Sequence, residues 1–454
     1  MKQENQMETK KYMKWWQKLG YGAGDFGSNY ALTFVTSFAL IYMTDAVGLS
    51  AGIVGTLIMI SKFLDGVTDV LFGTLMDRTR TKMGKARPWM FWSTFPLAVA
   101  EILLFMVPDV SETLQYAYFF VVYTLLNAFF YTANNIAYSS LTALATKNPT
   151  ERVQMGSIRF MFAAAAVLTI NALTVGFVEK FGGGMTGWRT VAIAYTVVMV
   201  VFNMITVLTV KELPSEDDKD LKKDSAFSDF GRNIKLMLQN KYCMLVLAYY
   251  ILYYTSSAIN NTVGVYYFSY VAGNAGLLGV FTLATMGPAM IGLLITPFVV
   301  KKLGIYKVNK FGMLIAAVFS ALFCVSGYMG SFALVLIFQI FRALFASPMM
   351  GTLNAVISEA THYTYLKEGV KLEGTMFAVS SMGMKVGLGV GAALCGWMLE
   401  LGKYDGMAAT QPASALAMMT FLFLGCPLII SAANALVVSK LNVSKAISEL
   451  ENAK

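Results

Sequence analysis

Asp65 and Asp69 stand four residues apart in a stretch, Ile53 to Leu75, that is otherwise apolar enough to cross a membrane. Four residues along an α-helix return to nearly the same face, so both carboxylates are expected to look into one space. An ionised side chain at bilayer depth costs roughly 2.5 to 3.5 kcal/mol on insertion scales. Two on one face are therefore expected to line a polar interior and to be compensated by a cation, a role that a mobile Na⁺ or H⁺ suits. Lys62, one turn earlier, offers the plainer reading of a structural ion pair. Nothing else in the chain calls for chemistry on a substrate: no nucleophile, metal cluster or phosphate-binding loop stands out, and Gly182-Gly183-Gly184 reads as a loop, so an enzyme is not expected. Cys243, Cys324, Cys395 and Cys426 are scattered singly and read as small buried hydrophobes. His362, the sole histidine, is expected in a cytoplasmic loop and not as a base.

The elements that must hold those acids are expected to be membrane spans. The 454 residues are 57% hydrophobic and 13% charged, with a mean hydropathy of +0.59, too apolar for a soluble domain of that length. Windows of about twenty apolar residues recur, each long enough for a hydrocarbon core roughly 30 Å thick. They predict an all-α integral membrane protein of twelve transmembrane helices: Tyr21 to Val47, Ile53 to Leu75, Trp89 to Val107, Tyr116 to Leu144, Ile158 to Val178 and Thr190 to Val210, then Met244 to Tyr270, Leu277 to Val300, Phe311 to Met329, Phe332 to Ser358, Met376 to Leu399 and Ser414 to Val438. No cleavable signal peptide is expected, because the first nineteen or so residues lack a short apolar core.

Orientation follows from charge. Of the 35 Lys and Arg residues, 28 fall on one side of these spans and only Lys180, Arg189 and Lys403 in loops on the other. Positive charge gathers on the cytoplasmic side, which predicts both termini there, in a cell membrane. The net charge of +9 thus reflects topology, and a nucleic-acid partner is not expected. The run Lys211 to Asn240 is too charged to be a span and divides the chain into an N-terminal bundle (1–210), a linker (211–241), a C-terminal bundle (242–440) and a tail (441–454). Each half carries a basic turn after its second helix, Asp77 to Lys85 and Lys301 to Lys307. Two six-helix bundles with a flexible join describe a rocking transporter with a midplane site.

Several strings, in order, sharpen that reading. Tyr21-Gly22-Ala23-Gly24-Asp25-Phe26-Gly27-Ser28-Asn29, Asp45 to Leu49 before Ser50, Val54-Gly55-Thr56-Leu57, Leu64-Asp65-Gly66-Val67-Thr68-Asp69, Asp77-Arg78-Thr79-Arg80 with Gly84-Lys85-Ala86-Arg87-Pro88-Trp89, Tyr131 to Leu141, and Lys371-Leu372-Glu373-Gly374 resemble the glycoside-pentoside-hexuronide cation symporters. The similarity runs nearly end to end, strongest in the first 160 residues. It implies a major facilitator fold and cation-coupled symport of a glycoside, pentoside or hexuronide by alternating access. It implies that Asp65 and Asp69 hold the coupling cation with Thr68 and Thr132 near them, and that Arg159 and Lys385 serve the sugar site. The partners it implies are a small sugar, the cation and lipid; a monomer is expected to suffice.

Where the melibiose branch carries acids on helices one and four, this chain has Asn29 and Asn135. Amides still donate and accept hydrogen bonds to hydroxyls, and the loss of two negative charges admits an anionic hexuronide whose carboxylate Arg159 or Lys385 could meet. Thr68 stands where sodium-using members tend to place Asn; since a proton needs one carboxylate and sodium several oxygens, H⁺ is preferred over Na⁺. Tyr30 and Tyr131 lie on the helices of Asn29 and Asn135 and could stack on a sugar, though packing is the commoner role of such rings. Asn260 and Asn261, near Tyr253 and Tyr254, are the best polar cluster of the second half. Asp77, Arg78 and Arg80 are candidate gating residues at the cytoplasmic turn. A facilitator, an exporter or a membrane sugar sensor on the same scaffold remains the alternative.

Overall fold

The computed structural model describes residues 11–213, 230–370, 373–408 and 410–452. Among these, every element is helical apart from an isolated bridge between Thr81 and Gly84. Long apolar runs become long helices, even α-helical stretches that carry Pro288 and Pro297 or Pro348, since a backbone in lipid must satisfy its hydrogen bonds within the segment. They are α1 (Trp15–Ile41), α2 (Ala51–Arg78), α3 (Arg87–Leu104), α4 (Glu112–Ala145), α5 (Pro149–Lys180) and α6 (Gly184–Thr209), then α7 (Phe230–Gln239), α8 (Lys241–Tyr266), α9 (Leu277–Leu303), α10 (Ile305–Tyr328), α11 (Phe332–Glu368), α12 (Glu373–Leu401), α13 (413–439) and α14 (Val443–Asn452). Ten of them are long and apolar enough to cross a membrane; α1 and α3, which the expected count of twelve includes, are not among the ten. Large apolar side chains such as Leu208, Leu294, Phe298 and Leu436 point outward on these helices, as surfaces wetted by acyl chains require.

Four helices carry a π-helical turn: Tyr42–Ala46 after α1, Leu125–Tyr131 inside α4, Tyr267–Val271 after α8 and Phe421–Gly425 inside α13. Such turns insert a residue and re-aim the side chains that follow. Helix ends obey local rules. Ser50 Oγ accepts from Ile53 N at the start of α2, and Asn148 Oδ1 accepts from Thr150 N and Glu151 N at the start of α5. At α3 the carboxylate of Glu212 accepts from the backbone N–H groups of Lys85, Ala86 and Arg87 at 2.7 to 2.9 Å.

Two expected loops are corrected. His362 lies inside α11, which continues ten residues past the expected Ser358 to Glu368. The basic turn Lys301 to Lys307 shrinks to Gly304, whose φ of +81° reverses the chain between α9 and α10. Within the segment expected to be a solvated linker, residues 230–239 form α7.

The chain forms two compact units. The first takes in Met1–Asp218, Gly264–Gly279 and Ala392–Leu416, and the second Lys219–Val263, Val280–Gly391 and Ala417–Lys454. In the first, the glycine-rich face of α1 lets neighbours approach closely. A Cβ on Gly24 would stand 2.6 Å from Thr206 Oγ1, and one on Gly27 would stand 2.9 Å from the Met199 carbonyl. The rings of Tyr21 and Tyr138 stack at 4.6 Å, and Tyr138 Oη donates to the Tyr21 carbonyl. In the second unit, Asn240 joins α8 to α11. Its Nδ2 donates to Ala360 O and Thr364 Oγ1 while its Oδ1 accepts from Tyr242 N.

Candidate functional site

Asp65 points into the first unit and not outward: 5% of its surface is exposed, beside Lys62 at 4%, Thr68 at 7% and Thr132 at 3%. Thr132 Oγ1 donates to Asp65 Oδ1 at 2.6 Å and lies 3.0 Å from the Asn127 carbonyl. That carbonyl belongs to the residue five before Thr132, so the π-helical turn of α4 is what brings the hydroxyl to the carboxylate. Lys62 Nζ donates to Asn127 Oδ1 at 2.8 Å and stands 3.8 Å from Asp65 Oδ2. The Thr68 hydroxyl donates to the main-chain carbonyl of Asp65 at 3.0 Å. Asp69, one turn on, is half-buried.

A second charged group lies on α1 and α5. Arg159 Nε donates to Asp25 Oδ1 at 3.0 Å, Nη1 reaches Ser139 Oγ at 3.3 Å, and the guanidinium carbon lies 5.0 Å from the centre of the Tyr138 ring. Asp25 is 3% exposed. Asn29 Nδ2 donates to the Asp25 carbonyl at 2.9 Å, closing a bond along its own helix. Tyr131, half-buried, is within electrostatic reach of Asp25, Arg159, Asp65 and Asp69.

The remaining candidates separate. Asn135 is half-buried, whereas its neighbour Asn134 is fully buried, with Nδ2 donating to Met90 O, Ser93 Oγ and Thr94 Oγ1 at 3.1 to 3.2 Å. Tyr30 is 6% exposed and packs against Phe26 at 5.0 Å and Tyr195 at 4.9 Å, so its neighbours are other rings. Lys385 is buried at 7% exposure on α12, in the second unit. The side chains of Asp77 and Arg78 lie outside the described residues; Arg80 is exposed and donates to the Thr79 carbonyl.

A protein family described as MFS/sugar transport protein matches residues 20–445. The chain belongs to that family. Over 92% of its length it is 28% identical to 87% of the isoprimeverose transporter of Lactiplantibacillus pentosus. It is 29% identical, across 93% of its length and 90% of the relative's, to the putative glycoside/cation symporter YagG of Escherichia coli. Among solved structures, a D-xylose–proton symporter superposes with a TM-score of 0.65 over 93% of this chain and 96% of that one, at 14% identity, which speaks to the fold alone. The chain is a multi-pass membrane transporter of the major facilitator type and not an enzyme.

Sequence reasoning overlooked three residues of this transporter. Asp25 was visible as an acid in an apolar helix, four residues before Asn29, but nothing local announces its partner on α5. Asn127 reads as an ordinary polar residue until the π-helical turn aims it at Lys62. Asp45 accepts hydrogen bonds from Thr44 Oγ1, Tyr270 Oη and Tyr404 Oη. All of these hydroxyls lie in the first unit, two of them on segments distant in sequence.

Proposed function

We propose that the protein is a secondary transporter that carries a glycoside together with a monovalent cation by alternating access. The observation that carries this is the buried pair Lys62 and Asp65, tied to α4 through Thr132, with half-buried Asp69 one turn on. With all three side chains ionised, the group holds one negative charge more than positive, which one monovalent cation cancels. A buried net charge is costly, so cation arrival favours the closed, desolvated state. Sugar and cation then raise each other's affinity by a linkage that must be reciprocal. Relatives named for isoprimeverose transport and for glycoside/cation symport support a sugar as the cargo.

H⁺ is the proposed coupling ion. A sodium ion wants several oxygens at once, but an ammonium stands 3.8 Å from Asp65 Oδ2. A proton needs only a carboxylate oxygen. Arg159, whose guanidinium lies over the Tyr138 ring and pairs with Asp25, is proposed, with Asn135 and Lys385, to serve the sugar. Both termini are proposed to be cytoplasmic, and one chain to suffice for transport.

Uptake of labelled glycosides into proteoliposomes under separately imposed gradients tests the reading. Accumulation is expected with an inward proton gradient and no effect of sodium. Accumulation that requires external Na⁺ at fixed proton gradient would overturn the proton assignment, and equilibration without accumulation under either gradient would leave a facilitator.

A further inference from the structure

The second unit holds a charged side chain that the cation-coupled mechanism does not use. Arg342 lies ten residues inside α11, which begins at Phe332, so its Cα is about 15 Å along the helix axis from the end. Counted from Phe332, where the span is expected to begin, that is about the middle of a hydrocarbon core, deeper than the side chain can reach to the headgroup level. Arg342 is half-buried, yet its Nη1 is buried and has no hydrogen-bond partner, and none of the salt bridges among the described residues involves it. The guanidinium carbon stands instead 4.9 Å from the centre of the Phe323 ring, which is fully buried, with Tyr253 of α8 in electrostatic reach. Stacking on a ring compensates only part of the desolvation of a cation at this depth. Lys62 and Arg159, by contrast, each face a carboxylate.

The same unit carries further polar groups whose hydrogen-bonding capacity is unfilled. Asn260 follows Tyr253 by seven residues on α8, two turns along the same face, and its Oδ1 is buried and unpartnered. Gln339, one turn before Arg342 on α11, donates Nε2 to Thr285 Oγ1 at 2.8 Å and leaves its Oε1 buried without a donor. Tyr250 and Tyr254 of α8 stack at 6.0 Å and are half-buried. The unpaired guanidinium donor of Arg342, with the unfilled amide acceptor of Gln339 one turn before it on α11, suits an anionic group on a polyhydroxylated ring.

We infer that Arg342 is a specificity-determining residue that binds an oxyanion, carboxylate or sulfonate, on the transported glycoside. This rests on the symport reading for the cargo being a sugar, and it moves anion recognition away from Arg159, which Asp25 already occupies. The planar guanidinium can give two parallel hydrogen bonds to either oxyanion, which an ammonium cannot match.

The test uses full-length carrier in proteoliposomes and three aryl glucosides that differ only at carbon 6, as hydroxymethyl, carboxylate or sulfonate, with both binding and uptake measured. The wild type is expected to prefer one of the anionic sugars by at least about 30-fold, and the preferred arm tells carboxylate from sulfonate. Arg342→Gln is expected to erase that preference while leaving hydroxymethyl-sugar affinity within about 3-fold, and Arg342→Lys to retain part of it. A parallel loss for all three sugars would mark Arg342 as a packing residue and overturn the inference. So would a wild type that accumulates the neutral sugar with no anionic preference, a result that leaves symport standing. An Arg342-dependent anionic preference in binding without gradient-driven accumulation would uphold the inference and overturn symport instead.

Discussion

Asp25 and Arg159 are unequally covered, with 5% of the acid's side chain exposed and 34% of the base's. Removing either leaves the other charge without its partner, and the deeper carboxylate suffers more. Arg159→Gln is therefore expected to cost about 1 to 3 kcal/mol of stability, less than for a fully buried pair because solvent reaches the guanidinium. Asp25→Asn combined with Arg159→Gln is expected to recover part of that loss. A thermal-unfolding double-mutant cycle on the purified carrier measures it, and strictly additive losses would mean that the two groups do not interact. At this scale the sequence made the charges visible and their partners invisible. Asp65, Asp69 and Arg159 announce themselves because an ionised group in an apolar run is rare. Asp25 and Arg159 meet across 134 residues, and no local pattern encodes that distance. The pair Asn134-Asn135 makes the same point: adjacent and identical, one is bound to three groups on α3 and the other is half-buried.

Helices were legible as lengths and illegible in detail. Apolar windows located the long helices well because hydrocarbon thickness sets their length. They said nothing of the π-helical turns, which arise from one inserted residue and leave hydropathy unchanged, yet one of them carries Thr132 to Asp65. Nor did they foretell how α2 and α12 meet within the first unit. Ala51 and Gly55 on one helix face Ala392 and Gly396 on the other, small residues four apart that let backbones touch. A Cβ on Gly396 would run into the Ala51 carbonyl and come within 3.1 Å of the Gly55 Cα. Gly396→Val is thus expected to abolish sugar uptake and lower thermal stability, while Gly396→Ala retains part of both. Normal uptake and stability in the valine variant would show that this approach is not used in the transport cycle.

For the whole molecule, charge placement predicts more than any single contact. The 28-to-3 distribution of Lys and Arg between the two sides is expected to hold both termini in the cytoplasm. Reporter fusions that are active on only one side of the membrane, placed at the C-terminus and after Lys403, check it: cytoplasmic activity at the first and none at the second is the expected outcome. Hydropathy marks a break near 211–241, but residues 264–279 and 392–416 pack with the first unit, held there in part by Tyr270 and Tyr404 on Asp45, contacts that no composition change signals. The central claim is that a buried carboxylate on α2 couples sugar movement to a cation. Its most direct test compares wild type with Asp65→Asn in proteoliposomes, measuring both sugar exchange at equilibrium and accumulation against an imposed proton gradient. The account predicts that the variant still exchanges sugar but no longer concentrates it, and accumulation by Asp65→Asn to the wild-type level would contradict it.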